Sequence, residues 1–262
     1  MRIIVAIAAL LLIPSAAFAD TGFLDRSVTF QGESYSYQVY VPANYTPELT
    51  WPVITDLHGN GRQGSDGIQP TRSGLADLIR QDRSLFPAIV VFPQGKVGTR
   101  WLFPAMEELV IAELDRTISE FHGDSRRLYL TGFSMGATGG YRIAYRWPDK
   151  FAALVCIAGR VEPGKDYTPQ ELDIDRRTNP FVTAPDAFAA LALRIRKLPI
   201  WIFHGDQDQT VPVEQSRQLT ASLKSAGADV RYTEYPGAGH VPAAAKACAD
   251  PNMIAWLLKQ HR

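Results

Sequence analysis

The sequence has no excess of charge of either sign. Its 262 residues include 27 lysines and arginines and 27 aspartates and glutamates, so the formal net charge is zero. A surface that binds nucleic acid or an anionic membrane face usually carries a clear excess of positive charge. The balance gives no indication of either partner, and we expect no nucleic-acid binding.

Cysteine is scarce, with only Cys156 and Cys248. The chain has no C-x-x-C motif and no histidine and cysteine group with the spacing of a zinc site, so the cysteines give no indication of a zinc site. The two cysteines could pair in an oxidising compartment. Cys156, however, lies in the apolar run ALVCIAG, where a buried free thiol is common. Two separate thiols are the favoured interpretation, and pairing stays open.

Long apolar runs are absent beyond the first residues, MRIIVAIAALLLIPSAAFA. There, one arginine precedes an apolar segment (3–13), and residues 17–19 form a small-x-small cleavage site, as in a secretory signal peptide. A membrane anchor is the alternative, but a span needs about 20 apolar residues. We expect residues 1–19 to be a signal peptide. Residues 20–262 are then a single exported domain, periplasmic or secreted, without a membrane span.

Short apolar runs rich in β-branched and aromatic residues predict strands. They are SYQVYV (36–41), PVITDLH (52–58), AIVVFP (88–93), RLYLTG (127–132), AALVCIAG (152–159), PIWIFHG (199–205) and VRYTEYP (230–236). Most of the later runs are apolar on both faces, as in a parallel sheet covered by helices on both sides. The first two runs are expected to form an antiparallel hairpin at the sheet edge.

Helical patterns lie between these strands. They are GLADLIRQD (74–82), AMEELVIAELDRTISEF (105–121), a helix from residue 135 to about 147, DAFAALALRIRK (186–197), PVEQSRQLTASLKSAGA (212–228) and DPNMIAWLLKQ (250–260). Strands that alternate with helices predict a three-layer α/β domain. Residues 160–197, rich in proline and charge, interrupt this alternation. They form either a partial lid over the strand ends or an ordinary long crossover connection.

The segment GFSMG (132–136) follows the predicted strand RLYLT and precedes a predicted helix. In that setting G-x-S-x-G indicates a sharp strand-to-helix turn that exposes the hydroxyl of the serine, here Ser134. The alternative is a small residue in a crowded turn, because five residues alone are a weak pattern. The helix that follows favours negative charge at its N-terminus. We therefore interpret Ser134 as a nucleophile.

A serine nucleophile needs a base and an acid that orients the base. The chain has five histidines, and only His240, in YPGAGHVP, follows the last strand on a predicted loop that can reach the strand ends. The alternative for His240 is a cap on the last helix. The order serine, acid, histidine is the one expected for a strand-to-helix turn of this kind, which is called a nucleophile elbow. The segment FHGDQDQTVP offers Asp206 and Asp208, and position alone does not separate them.

The negative oxygen that forms during attack needs two backbone donors. One candidate is the N–H of Met135, directly after the nucleophile. The other is the N–H of Asn60 in the glycine-rich loop DLHGNGRQGSD (56–66) after an early strand. No G-x-x-x-x-G-K-[ST] or G-x-G-x-x-G motif is present, so this loop does not indicate a nucleotide site.

Five segments together carry a resemblance to a known family. They are LHGNGRQGSD, VVFPQG, LYLTGFSMGATGGYRIAYRWPDKFAA, IFHGDQDQTVPVEQS and YPGAGH. In this order they resemble the α/β-hydrolase superfamily. More narrowly, they are similar to its phospholipase/carboxylesterase branch, which includes exported esterases described as predicted peptidases or as polyhydroxybutyrate-depolymerase-like.

The resemblance implies an α/β-hydrolase fold, with a mostly parallel central sheet, helices on both faces and an antiparallel N-terminal edge. It also implies that the triad acid is Asp208 and supports Asn60 as an oxyanion donor. The implied activity is that of an exported serine hydrolase acting on small-molecule or polymer-borne esters, and this activity is expected to need no metal or organic cofactor. A peptidase, an acyltransferase and a non-catalytic binding protein are the alternatives. Neither the substrate nor the oligomeric state follows from the sequence.

Several side chains could shape a substrate pocket. Gln94 and Trp101 follow the strand AIVVFP on a loop expected at the same sheet edge as Ser134. Trp101 could equally anchor a loop at the surface. Aromatic side chains of the 160–197 segment could contribute as well, and they are Tyr167, Phe181 and Phe188.

Overall fold

The computed structural model describes residues 20–262, so the expected signal peptide (1–19) lies outside the described residues. Eight strands form one sheet: β1 (Gly22–Phe30), β2 (Glu33–Val41), β3 (Trp51–Leu57), β4 (Ile89–Phe92), β5 (Gly123–Phe133), β6 (Ala153–Ile157), β7 (Ile200–Gly205) and β8 (Val230–Tyr235). The helices are α1 (Leu75–Gln81), α2 (Pro104–Glu120), α3 (Met135–Arg146), α4 (Pro169–Thr178), α5 (Ala187–Ile195), α6 (Glu214–Ser225), α7 (His240–Cys248) and α8 (Pro251–Lys259).

The strand order is β1-β2-β4-β3-β5-β6-β7-β8. Strands β3 to β8 pair in parallel, whereas β2 pairs antiparallel with both β1 and β4. The fold class expected from the sequence, a mostly parallel sheet with an antiparallel N-terminal edge, is confirmed. Because parallel strands end at the same sheet edge, the loops after β3, β5 and β7 all meet there.

The predicted N-terminal hairpin, 36–41 with 52–58, is wrong in its partners. Strand β2 pairs with β1, which was not predicted, and β3 lies inside the parallel sheet. Strand β1 alternates half-buried and exposed residues at the edge, so it has no continuous apolar run. Gln31 and Gly32 connect the hairpin with φ angles of 50° and 82°, as a two-residue turn of this type requires.

The sheet is covered on both faces, as expected. Helices α1, α7 and α8 contribute to one apolar cluster, and α2, α3, α5 and α6 contribute to the other. Every residue of β4 is fully buried, which explains why its sequence, IVVF, does not alternate. The two apolar clusters therefore fix the positions of the strand ends, which are followed by the candidate site residues.

Helices α4 and α7 were not predicted. Helix α4 begins with a capping box between Thr168 and Glu171, which is a sequence signal for a helix start. The helix was not predicted because the surrounding segment is rich in proline. Helix α7 follows the glycines of YPGAG directly, and this segment was interpreted as a loop. His240 is consequently the first residue of a helix rather than a loop residue.

The 160–197 segment packs on the helix that follows Ser134. Arg142 of α3 and Asp175 of α4 form a fully buried, two-pronged ion pair, with N···O distances of 2.8 and 2.5 Å. The side chains of Phe181 and Phe188 are buried in the cluster on the same face. The segment is thus tied to the α3 side of the sheet.

Removing one member of this buried pair is expected to destabilise the fold strongly. Asp175→Ala leaves the Arg142 guanidinium buried without its partner, which costs about 3–5 kcal/mol. Asp173→Ala is a matched control, because Asp173 pairs with Arg177 at the surface, where such pairs contribute about 1 kcal/mol or less. Urea unfolding measures both free energies of unfolding. Equal losses in the two variants would contradict this account of the segment.

Candidate active site

Ser134 lies at the junction of β5 and α3, as its motif predicted. Its φ and ψ angles are 55° and −115°, a region that residues with a Cβ rarely adopt. Its N–H donates a hydrogen bond to the carbonyl oxygen of Ile157, at 2.9 Å, which holds the turn against β6. Strained backbone of this kind is found at functional sites.

The two glycines of the motif are required by close backbone contacts. A Cβ on Gly136 would lie 1.9 Å from the carbonyl oxygen of Leu57 in β3. A Cβ on Gly132 would lie 2.5 Å from the carbonyl carbon of Gly136. The helix can therefore turn back over the strand ends only with glycine at both positions.

His240 bridges Ser134 and Asp208. Its Nε2 lies 2.8 Å from Ser134 Oγ, and its Nδ1 lies 2.5 Å from Asp208 Oδ2. An ionised carboxylate only accepts hydrogen bonds, so Nδ1 carries the hydrogen and Nε2 accepts the serine hydroxyl. The Phe133 ring packs on the imidazole with a centroid distance of 4.7 Å. The imidazole is thereby oriented by contacts on three sides.

The two candidate acids have different surroundings. Burial alone would raise the pKa of Asp208, but the contact with His204 and the hydrogen bonds from His240 and the Val211 N–H hold it well below its usual range. Asp208 Oδ1 accepts hydrogen bonds from the N–H groups of Thr210 and Val211, each at 2.8 Å. Asp206 instead accepts a hydrogen bond from the N–H of Gly237 in the turn before α7. Asp208 is thus the carboxylate in contact with His240.

The two expected oxyanion donors have N–H groups that donate no hydrogen bond within the described residues. The Met135 N–H is the first of α3, so no carbonyl of that helix can accept from it. Asn60 lies in the exposed loop after β3, and its side-chain Oδ1 accepts a hydrogen bond from Gln63. Both amides are therefore available to an incoming oxygen atom.

His58 holds the loop that carries Asn60, a role that the sequence did not reveal. Its Nδ1 lies 2.8 Å from the carbonyl oxygen of Gly59, and its Nε2 accepts a hydrogen bond from the N–H of Gly95 at 3.1 Å. Burial lowers the pKa of His58 to about 4, so the imidazole is neutral and can donate at one nitrogen and accept at the other. The sequence feature that could have indicated this role is the dipeptide His-Gly at the end of the predicted strand.

Gln94 and Trp101 are not pocket residues in the structure, which corrects the expectation. Both side chains are buried. Gln94 accepts a hydrogen bond from the N–H of Gly67 and donates one to Asp66, and Trp101 donates one to the carbonyl oxygen of His58. They hold the loop after β3 in place rather than facing a ligand. The aromatic side chains suggested from the 160–197 segment are buried too, and they are Tyr167, Phe181 and Phe188.

A cleft of about 560 Å³ opens between α1 and α7, over the ends of β3, β5 and β6. It is mostly apolar, and its walls include Leu57, Leu78, Phe133, Ile157, Val241 and Ala245. Ser134 and His240 do not line it. The Phe133 ring lines the cleft and also packs on the His240 imidazole. No residue of 160–197, a segment described in full, lines this cleft either.

Three further features of the described chain concern its cysteines, its potential metal ligands and the lengths of its helices. Cys156 and Cys248 are both free thiols, the first buried and the second half-buried at the cleft. Residues 20–262 contain no group of three or more His, Cys, Asp or Glu side chains placed to hold a metal ion. Within the same residues, no helix has the length and apolar character needed to span a bilayer.

Comparison with known proteins identifies relatives of this chain. An uncharacterized secreted protein of Arthroderma benhamiae is 27% identical over 201 residues, which cover 72% of this chain and 21% of the relative. A bifunctional acetylxylan esterase/xylanase of Neocallimastix patriciarum is 26% identical over 188 residues, or 71% of this chain and 23% of the relative. This chain therefore spans less than a quarter of the length of either protein.

A solved structure and a family profile extend these comparisons. The crystal structure of a thermostable esterase is 26% identical, with a TM-score of 0.72, and the match covers 92% of this chain and 63% of that one. The profile of the prolyl oligopeptidase family matches residues 109–261, which is more than half of the chain. The resemblance to the α/β-hydrolase superfamily is thereby confirmed, and the chain belongs to the prolyl oligopeptidase family within it.

Proposed function

We propose that this protein is a serine hydrolase that cleaves carboxylic esters through an acyl-enzyme. The observation that carries the proposal is the pair of contacts that joins Ser134 Oγ to His240 Nε2 at 2.8 Å and His240 Nδ1 to Asp208 Oδ2 at 2.5 Å. A nucleophile within reach of a base that is itself oriented by an acid is the arrangement that nucleophilic catalysis needs.

In the first half of the reaction, Ser134 Oγ attacks the ester carbonyl carbon while His240 Nε2 takes the hydroxyl proton. The charge that develops on the carbonyl oxygen is stabilised by the N–H groups of Met135 and Asn60. The tetrahedral intermediate collapses, and His240 returns the proton to the departing alcohol. Asp208 holds the imidazole in orientation and stabilises its charged form throughout.

In the second half, water replaces the alcohol. His240 removes a proton from the water as its oxygen attacks the acyl carbon bound to Ser134 Oγ. The carbon–Oγ bond then breaks, and His240 gives the proton back to Ser134. The carboxylic acid leaves, and no metal or organic cofactor takes part in any step.

Ester hydrolysis is favoured over two related reactions on the same site. A bifunctional acetylxylan esterase/xylanase and a thermostable esterase are among the similar proteins. The prolyl oligopeptidase profile makes a peptidase the second candidate. An acyltransferase would follow the same path with an alcohol in place of water.

Initial rates on paired substrates test this proposal. The purified protein, residues 20–262, is expected to hydrolyse aryl and alkyl esters. The substrates tested include acetylated sugars, feruloyl esters and hydroxybutyrate oligomers. Peptide anilides with the same acyl group are expected to react far more slowly. Faster cleavage of the anilides would favour the peptidase, and accumulation of a new ester in the presence of added alcohol would favour the acyltransferase.

The cleft beside Phe133 is suited to an apolar part of the substrate. Its volume, about 560 Å³, is within the range of ligand pockets. The loop that carries Asn60 and the start of α7, which carries His240, both border it. An ester bound at Ser134 can therefore extend an apolar group along this wall, and the side chains of the cleft then select among esters.

Filling the cleft is expected to change selectivity. Ala245→Trp, on the exposed side of α7, is expected to lower kcat/KM for esters with large apolar groups by about tenfold while leaving small acetyl esters nearly unchanged. Leu193→Trp is a matched control, because Leu193 is an exposed apolar residue of α5 outside the cleft. Equal effects on large and small esters would contradict the assignment of the cleft.

Export is a further part of the proposal. The signal peptide expected at residues 1–19 supports it, and one relative is described as a secreted protein. N-terminal sequencing of the protein recovered from cell fractions is expected to begin near Asp20 in the periplasmic or extracellular fraction. A chain that retains residues 1–19 and stays with the membrane fraction would support an anchor instead.

A further inference from the structure

His204 is a second buried histidine beside the triad acid, and the mechanism above gives it no role. It lies near the end of β7, is completely buried, and precedes Asp208 by four residues. Its Nε2 lies 3.0 Å from the carbonyl oxygen of Val211 and 3.2 Å from Asp208 Oδ2. Its Nδ1 lies 2.6 Å from Ser216 Oγ on α6. Both ring nitrogens thus have partners without any solvent contact.

The partners determine where the ring hydrogen lies. A carbonyl oxygen and a carboxylate can only accept hydrogen bonds, so in the neutral ring the hydrogen belongs on Nε2. The Ser216 hydroxyl then donates to Nδ1. The Nε2–H group donates its hydrogen bond to the Val211 carbonyl oxygen, and Asp208 Oδ2 makes a second, less direct contact with Nε2.

Two routes lead from His204 to the carboxylate of Asp208. The direct route is the contact between Nε2 and Oδ2, the same oxygen atom that accepts the hydrogen bond from His240. The indirect route passes through Val211, whose carbonyl is held by His204 and whose N–H donates to Asp208 Oδ1 at 2.8 Å. Both carboxylate oxygens are therefore restrained by contacts that depend on His204.

We propose that His204 is a positioning residue that fixes the Asp208 carboxylate for its hydrogen bond to His240. This inference rests on the proposed ester hydrolysis, and Ser216 supports it by orienting the imidazole. Without His204, the segment 208–211 can shift, and a displacement of about 1 Å near reacting groups can cost about 100-fold in rate. His204 contacts neither substrate nor the reacting atoms.

A pair of substitutions separates positioning from simple packing. His204→Gln keeps an N–H donor at about the distance of Nε2, whereas His204→Met has similar length but no donor. We expect His204→Met to lower kcat by at least about tenfold with KM nearly unchanged. The groups that bind the substrate stay in place, and only the Asp208 carboxylate and its hydrogen bond to His240 are displaced. His204→Gln is expected to recover most of this loss. Ser216→Ala, which leaves the ring in place, is expected to show a smaller fall in kcat.

A second readout does not depend on turnover. The hydrogen bond between His240 and Asp208 is short, so its proton is expected at low field in the proton NMR spectrum of the wild-type protein. We expect this resonance to persist in His204→Gln and to weaken or disappear in His204→Met.

Each outcome bears on one idea. Equal kcat values and an unchanged resonance in the folded His204→Met and Ser216→Ala variants would overturn the positioning role. Equal losses in His204→Gln and His204→Met would show a packing role instead and would also overturn it. If His204→Met does not fold, Ser216→Ala tests the positioning role instead. A lower kcat in Ser216→Ala with kcat largely retained in His204→Gln would support it, and an unchanged kcat and resonance in Ser216→Ala would overturn it. A wild-type protein that hydrolyses no ester refutes the proposed function, whereas the resonance still tests the positioning of Asp208.

Discussion

Ser134→Ala is expected to lower kcat for ester hydrolysis by about 10⁴-fold or more, because no other group can form the acyl-enzyme. Stability is expected to change little. Alanine keeps the Cβ, so the strained turn at φ 55° is as costly as before. Among residues 20–262, the one hydrogen bond that the side chain loses is that to His240.

Ser125→Ala is the matched control for this substitution, because Ser125 is exposed in β5 and remote from the elbow. Steady-state kinetics on one aryl ester and urea unfolding of both variants give the two readouts. Turnover by Ser134→Ala within about tenfold of the wild-type rate would refute Ser134 as the nucleophile.

Gly136→Ala is expected to destabilise the fold by about 3 kcal/mol or more, although glycine-to-alanine changes in helices usually stabilise. The added Cβ would lie 1.9 Å from the carbonyl oxygen and 2.6 Å from the carbonyl carbon of Leu57. Both atoms belong to the backbone of β3, which is held between two other strands, so neither side can move away cheaply.

Gly140→Ala, one turn further along α3, is the matched control. There the nearest atoms are side-chain atoms of Leu154 and Cys156, at 3.3 and 3.5 Å, so a small shift accommodates the methyl group. Its free energy of unfolding is expected to stay near the wild-type value or to rise. Comparable stability of the two variants in urea would contradict the close packing of the elbow.

The residues of the proposed triad could be predicted from the sequence because each stands in a local pattern. Ser134 follows a strand and precedes a helix, and Asp208 and His240 come later in the expected order. The acid was the one ambiguous member, since Asp206 and Asp208 are two residues apart in the same turn. The family resemblance implied Asp208, and in the structure Asp208 contacts His240, whereas Asp206 accepts a hydrogen bond from the N–H of Gly237.

Residues whose role depends on tertiary distances were not accessible. Gln94 and Trp101 lie on a loop near the site, and the sequence alone cannot tell a side chain that faces a ligand from one that props up the loop. The same limit applies to the cleft, which is built from α1, α7 and three strand ends. The sequence left open whether residues 160–197 form a partial lid or a long crossover connection, and in the structure the segment packs against α3.

The supporting histidines illustrate a second limit. His58 and His204 both precede a glycine at the end of a predicted strand, and the sequence predicted no role for either because neither follows the last strand. In the structure, His58 holds the loop of Asn60, and His204 contacts the carboxylate of Asp208. Their position before a glycine at the strand end marks them as neighbours of the site, but only the contacts show what they hold.

Covalent labelling shows whether Ser134 is a nucleophile that His240 activates. A fluorophosphonate probe is expected to add once to the purified, folded protein, with the adduct on the peptide that contains Ser134 by mass spectrometry. Ser134→Ala is expected to take up no label, and His240→Ala is expected to react far more slowly. A folded wild-type protein that stays unlabelled, or one that carries the adduct elsewhere, would contradict the account.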